Sequence, residues 1–347
     1  MIILFILLLA ISLIGCKIYR FNENYISYDN SNAIKGILAL IILFSHMKGY
    51  ITLSDNFYDQ WFSDVLVYIG QLMVAPYFFY SGYGIMESIA RKPSYMQSYP
   101  RRRILKTMIH FDVAVLIYVI VMTIIGTYYP GHYYLSCWIG WDSVGNSNWF
   151  IFDILILYVL FYISYKLSNY LFPSFAKSMK MKQFVMLFLF SVTVVMMWVA
   201  LFIANKGSWW IDTLLTFPLG AWYSYFRSYI EKQFRKGLFP AMLLFVLLSL
   251  FIIWKQQFGN DVLGVTACIF CLLLMVVCTK VEINNKYLQW FGIHAFSIYI
   301  IQRLPMNLFA HFGLDENPYL FAALSIPSVL FCSYIYNRIL TRLDARI

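Results

Sequence analysis

Ser31-Asn-Ala-Ile-Lys-Gly-Ile-Leu-Ala-Leu-Ile-Ile-Leu-Phe-Ser-His-Met-Lys48 is an apolar run with Lys35 near one end and His46 near the other. Its length and composition predict a helix in hydrocarbon. Ionisable side chains are expensive there unless paired, hydrated or used, so both residues are functional-site candidates. Eleven positions at 100° make three turns plus about 20°, which puts Lys35 and His46 on one stripe about 16 Å apart. One helix face thus carries a cation near one membrane surface and a titratable base toward the other.

Composition extends this reading to the whole chain. The 347 residues are 61% hydrophobic and 12% charged, with a mean hydropathy of +0.69. A soluble protein needs roughly twice that charged fraction, whereas repeated apolar runs of about 17 to 25 residues fit membrane helices. The expected fold is all-α, a polytopic membrane protein of about ten or eleven spans around a polar central cavity. The formal charge is +10, from 26 Lys and Arg against 16 Asp and Glu. Because these basic residues fall between apolar runs, they read as an orientation signal, and nucleic-acid binding is not expected. Five of the six cysteines lie in or at the ends of apolar runs, the pattern of small buried hydrophobes and not of a disulfide framework. Cys268 and Cys271 have a CxxC spacing without a second pair or a nearby histidine, so no metal site is assigned.

Residues 1–16 end at Lys17 and Arg20 without a good cleavage site, which predicts a retained first helix (domain 1–20) ahead of a helical domain over 21–347. Further spans are expected at about 32–48, 63–90, 107–127, 149–166, 183–204, 209–226, 237–254, 262–279, 288–306 and 317–336. Gly70, Pro76, Gly82 and Gly84 predict a kink in the third. The aromatic, Gly-rich connection 128–149 should form an ordered cap or a short re-entrant element. Connections 17–31, 91–106, 166–182, 227–236, 280–287 and the Arg338–Arg346 tail collect the basic residues. The alternate set holds Asp55, Asp59, Asp142, Asp261, Asp315 and Glu316. The positive-inside rule then puts the N-terminus outside and the C-terminus in the cytoplasm.

Several residues could carry chemistry. His46, after Ser45, suits a general base near neutrality, although a helix-end histidine at the interface has the same pattern. Lys35 is either a snorkelling anchor or part of a polar path for an anionic donor. Arg101, Arg102, Arg103 and Lys106 would suit donor phosphates or simply fix topology and touch anionic lipids. Asp153, about one turn beyond Trp149, could orient a histidine or lysine. Glu87 could snorkel at the inner end of the third span. Phe217-Pro-Leu-Gly-Ala-Trp222 reads as a helix break exposing backbone to a cavity. Ser297, Tyr299, Gln302 and Arg303 are polar residues of the tenth span. Serine-hydrolase, zinc-protease and nucleotide-hydrolase signatures are absent from the sequence.

Taken in order, six stretches resemble the integral-membrane acyltransferase 3 family. They are Lys35 to His46, Phe78-Phe-Tyr-Ser-Gly-Tyr-Gly84, Arg101 to Lys106, Asn148-Trp-Phe150, Phe217-Pro-Leu-Gly220 and Phe291-Gly-Ile-His-Ala-Phe-Ser-Ile-Tyr-Ile-Ile-Gln302. The resemblance puts the family's essential histidine on His46 and a basic residue, commonly arginine, on Lys35. Its Arg-x-x-Arg motif falls on Arg103 and Lys106, and Gln302 stands where histidine is often found. It implies a bacterial cytoplasmic-membrane enzyme with no tightly bound cofactor. The expected partners are membrane lipids, a cytoplasmic acyl-CoA donor, usually acetyl-CoA, and a glycan or lipid-linked glycan acceptor; a homodimer is compatible. On this reading Arg101 to Lys106 hold donor phosphates, Lys35 guides the donor, and His46, with Asp153, serves catalysis. Ser45, Trp149, Tyr299 and Gln302 would line the acceptor side or the cavity. Two other classes stay open: a transporter or flippase of an envelope precursor, and a non-catalytic partner of a polysaccharide synthase.

Overall fold

The computed structural model describes residues 1–92, 94–171, 179–236, 239–258 and 263–345. Lys177, Asp261 and Arg346 lie outside the described residues, as do the first positions of the spans expected at 237–254 and 262–279. The described chain is helical almost throughout. In order it runs α1 (Ile2–Ser12), β1 (Cys16–Ile18), α2 (Tyr28–Lys48), α3 (Phe57–Ile69), α4 (Ala75–Arg91), α5 (Tyr95–Tyr99) and α6 (Lys106–Ile124). The middle holds α7 (Tyr133–Ser136), α8 (Trp149–Leu171), α9 (Met179–Ile203), α10 (Ser208–Ile211), α11 (Thr216–Phe234), α12 (Phe239–Phe258) and α13 (Leu263–Cys278). Last come β2 (Val281–Ile283), α14 (Lys286–Ile293), α15 (Ala295–Ile301), α16 (Arg303–His311) and α17 (Pro318–Asp344).

Helices stand at all eleven expected places. Five are long and apolar enough to cross a membrane: Tyr28–Lys48, the continuous run Tyr95–Ile124, Trp149–Leu171, Lys180–Ile203 and Pro318–Asp344. Two bent pairs also qualify, α3 with α4 at 48° and α10–α11 with α12 at 117°. With its 11 residues, α1 is about 16 Å long, short of a hydrocarbon layer of about 30 Å. The 16 residues of α13 reach about 24 Å, and the run 286–311 is broken into α14, α15 and α16. The protein is a multi-pass membrane protein.

Local sequence explains several boundaries. The start of α2 lies one turn before the expected span because the Ser27 side chain accepts from the Asn30 backbone N–H, with Asp29 in the first turn. The kink expected in the third span is the 48° bend between α3 and α4, where residues Leu72–Val74 form a 3₁₀ turn and Pro76 opens α4. The 91–106 stretch, expected as a connection, is helical from Tyr95 and passes through a widened π-type turn over Pro100–Leu105. Phe217-Pro-Leu-Gly220 is no break. It forms the first turn of α11, where a proline is tolerated.

That turn serves close packing. A Cβ on Gly220 would overlap the Phe79 backbone of α4, and one on Gly82 the Phe217 backbone of α11. The same reciprocity joins α2 to α14, where Gly36 abuts the Leu288 backbone and Gly292 that of Asn32. Small residues that let backbones touch are the usual means of holding membrane helices together. Around these two pairs pack aromatic clusters such as Phe5, Phe44 and Phe62, which join α1, α2 and α3.

Connections meet within two groups. At one end β1 pairs antiparallel with β2, Cys16 opposite Ile283. There too Arg235 forks onto Glu23, and Lys106 pairs with Asp344 at 2.6 Å. At the other end Thr52 N–H bonds to the Asp315 carbonyl, and Tyr50 donates to Asn307 at 2.7 Å. Asn307 in turn donates to the Gly145 carbonyl at 3.0 Å. The 128–149 connection is an ordered cap closed by Lys206, which donates to the Trp141 carbonyl and lies 3.7 Å from its ring centroid.

Candidate active site

A cavity of about 740 Å³ runs into the bundle between α2, α4, the α5–α6 turn, α8, α11 and the α14–α15 region. Its mouth, at the end where the basic connections gather, is edged by Glu23, Tyr28, Glu87, Arg91 and Arg227. Lys35, Tyr77, Tyr80, Arg103 and Tyr158 form its middle, and Phe150, Tyr299 and Gln302 lie at its deep end. A second pocket of about 440 Å³ is lined by Ser143, Asn146, Ser147, Asn148, Trp149, Trp209 and Arg303. Phe150 and Tyr299 meet edge to face at 5.3 Å in the larger cavity, and Trp149, the residue before Phe150, lines the smaller pocket.

Lys35 lies on the cavity wall as the polar stripe predicts. Its Nζ is 3.5 Å from Asn32 Oδ1 and 5.3 Å from the Tyr80 ring centroid. The helix turn beneath it is fixed by Tyr77, whose hydroxyl donates to the Lys35 carbonyl at 2.6 Å. Arg103 reaches the same space from the widened turn. Its Nε donates to the Tyr95 hydroxyl at 3.0 Å, and its guanidinium sits 5.9 Å from the Tyr158 ring centroid. Among the described residues neither cation forms an ion pair. Two poorly compensated positive charges in one cleft can receive a polyanion.

The rest of the basic cluster divides. Arg101 and Arg102 are exposed and do not line the cavity. Lys106 is bound to Asp344, which also meets His110 Nε2 at 2.8 Å. Arg103 and Lys106 therefore make no joint contact, since their turn directs one inward and the other to the α17 end.

His46, on the α2 stripe of Lys35, lies behind the deep end. Its ring centroid is 6.0 Å from that of Tyr299. His46 Nδ1 and the Tyr299 hydroxyl are both buried without a hydrogen-bond partner. Gln302 is fully buried and donates to the Tyr299 carbonyl at 3.1 Å, while its Oε1 has no partner. Ser45 faces Gly70 and lines neither space. Trp149 lines the smaller pocket.

Asp153 is completely buried on α8, with both carboxyl oxygens unpartnered. It hydrogen-bonds neither His46 nor Lys35. Its charge is felt by Tyr299.

Sequence reasoning passed over the mouth network. Glu87 accepts from Ser224 at 2.9 Å and pairs with Arg227 at 3.4 Å, and Arg227 bonds Glu231 at 2.7 Å. Tyr25 donates to Glu231 and receives from Tyr223, and burial pushes its phenol up to about 12. A signal existed in the acidic and basic residues near the C-terminal ends of α4 and α11, which read singly as snorkelling. The cavity tyrosines carried no such signal among 28 tyrosines.

A family model described as an acyltransferase domain matches residues 28–338. No curated protein and no solved structure matches the chain.

Proposed function

The chain belongs to this acyltransferase 3 family and is an acyltransferase, and we propose that it moves an acyl group, acetyl in the commonest case, from a cytoplasmic acyl-CoA to a hydroxyl of a cell-surface glycan or its lipid-linked precursor. One observation carries the reading. The large cavity takes Lys35 and Arg103 along its wall and ends at Tyr299, beside His46 with its unpartnered Nδ1. An extended, phosphate-bearing donor fits such a space. The basic end of the bundle is then cytoplasmic, and the smaller pocket faces outward with the acceptor.

In the proposed reaction His46 takes the proton of the acceptor hydroxyl. The oxygen attacks the thioester carbonyl, the C–S bond breaks, and the departing sulfur receives the proton from the imidazolium. The acceptor leaves as an ester and the donor as free CoA. General-base help of this kind is worth about 10²- to 10⁴-fold. Lys35 and Arg103 hold the donor, and Gln302 and Tyr299 shape the reacting end.

The test is reconstituted protein given isotope-labelled acetyl-CoA and candidate glycans, with labelled product and free CoA scored together. Transfer by the wild type and its loss in His46→Ala support the reading. Wild-type transfer by His46→Ala removes the general base. Glycan movement across the vesicle without CoA release indicates transport instead.

A further inference from the structure

Arg303 opens α16 on the wall of the smaller pocket and has no role in donor binding. Its Nε is buried without a hydrogen-bond partner. Among the described residues no carboxylate comes within ion-pair distance of it. The titratable groups that feel its charge are His46, Tyr50, Tyr118 and Tyr299, none of them an anion near neutral pH. An unpaired cationic nitrogen buried at membrane depth is costly, and such residues usually mark a ligand path.

Asn146 Nδ2 on the same wall is also buried without a partner, although Asn146 Oδ1 is engaged by the Val144 N–H at 3.0 Å. Ser147, buried beside it, interacts with the Tyr299 hydroxyl. Two donors therefore look for acceptors in one pocket, with a hydroxyl next to them. Trp149 and Trp209 add flat apolar faces, which suit the C–H faces of a pyranose. The volume of about 440 Å³ falls within the about 300–1,000 Å³ usual for small-molecule sites.

We propose that the smaller pocket binds the acyl acceptor as an anionic sugar, with a carboxylate or phosphate on Arg303 and its ring against Trp149 and Trp209. The proposal rests on the acyl-transfer reading for the word acceptor. Arg303 fixes the anion, Asn146 and Ser147 donate to neighbouring ring or anion oxygens, and a free hydroxyl is left toward His46. Arginine suits this role because its fork meets a planar carboxylate or a phosphate through two parallel bonds. A neutral sugar would leave the buried Nε without an anion, so discrimination comes from both attraction and penalty.

The test reads binding and not turnover. Protein labelled with 5-fluorotryptophan is placed in lipid nanodiscs, and the Trp149 and Trp209 fluorine resonances are assigned with W149F and W209F. Glucuronate, glucose 1-phosphate, glucose and inorganic phosphate are titrated without acyl-CoA. A charge-assisted contact predicts that one or both sugar anions shift these resonances at roughly ten- to hundredfold lower concentration than glucose. Which anion binds tighter identifies the carboxylate or the phosphate as the natural group. Arg303→Gln abolishes the preference and Arg303→Lys keeps part of it. If Arg303→Gln does not fold, Asn146→Ala is read in its place and weakens the sugar anions several-fold. Equal binding of glucose, a preference that survives these substitutions, or inorganic phosphate binding as tightly as the sugar anions overturns the proposal. Anionic-sugar binding without any acyl transfer to sugars defeats the proposed function and leaves the pocket standing. Transfer to neutral sugars with no anion preference does the reverse.

Discussion

The His46 ring lies 6.0 Å from the Tyr299 ring, and neither the imidazole Nδ1 nor the phenol hydroxyl has a hydrogen-bond partner. Unpaired polar atoms at this depth are costly, which makes the pair the place where a substrate should complete the bonding. His46→Ala is expected to lower kcat by about 10²- to 10⁴-fold with little change in the KM for acyl-CoA. Tyr299→Phe removes one hydroxyl and keeps the ring, so its loss should be smaller, on the order of tenfold. Steady-state release of CoA from reconstituted protein measures both.

Arg103 and its neighbours Arg101 and Arg102 differ in exposure, and this separates them in kinetics. Arg103→Gln removes a cavity cation and should raise the KM for acyl-CoA by about ten- to hundredfold. Arg101→Gln and Arg102→Gln should change it less than about threefold at physiological salt, because exposed charges are screened. An equal effect of all three would mean that the donor docks on the exposed face of the turn.

Gly292 lies against the Asn32 backbone and Gly82 against that of Phe217. Gly292→Ala and Gly82→Ala should each destabilise the fold by about 1–3 kcal/mol through forced separation of the helices. Gly84, with open space beside it, should tolerate alanine. Thermal midpoints in a fixed detergent compare the three variants.

Glu23 is held below the usual glutamate range by its forked hydrogen bonds with Arg235. A depressed carboxyl stabilises the fold above its unfolded value of about 4.3, and that contribution fades as pH falls through the lower folded value. Wild type should therefore melt above Glu23→Gln near pH 7, and the gap should close as the pH drops below about 4. A gap that stays constant over this range would show that the clip is not ionic.

Legibility in the sequence followed the kind of signal each feature leaves. The α2 stripe was readable because helical periodicity alone fixes the relation of Lys35 to His46. The bend at Pro76 was readable from its residues. Fragmentation of the tenth span was not read, since His294 and Gln302, which stand at its two junctions, are not helix breakers by residue type. The strand pair of Cys16–Ile18 with Val281–Ile283 joins segments far apart in sequence, and three residues are too few for a period. Phe217-Pro-Leu-Gly220 was misread as a break because proline and glycine look alike as punctuation, whereas Gly220 serves contact with Phe79. Arg103 and Lys106 share a helical face in an ideal helix, but the widened turn rotates them apart. Arg303 was noticed as polar and not as a site, because its lack of a counter-ion becomes visible only when the helices are assembled.

Phe150 and Tyr299 meet edge to face at 5.3 Å on the wall of the larger cavity, and Trp149, the residue before Phe150, lines the smaller pocket. A ring pair standing between the two spaces would let a small chemical group change hands while refusing hydrated ions, so that acyl transfer need not short-circuit the membrane. Shaving the pair, as in a Phe150→Gly, Tyr299→Gly double variant, should turn an enzyme into a leak that planar-bilayer conductance would register.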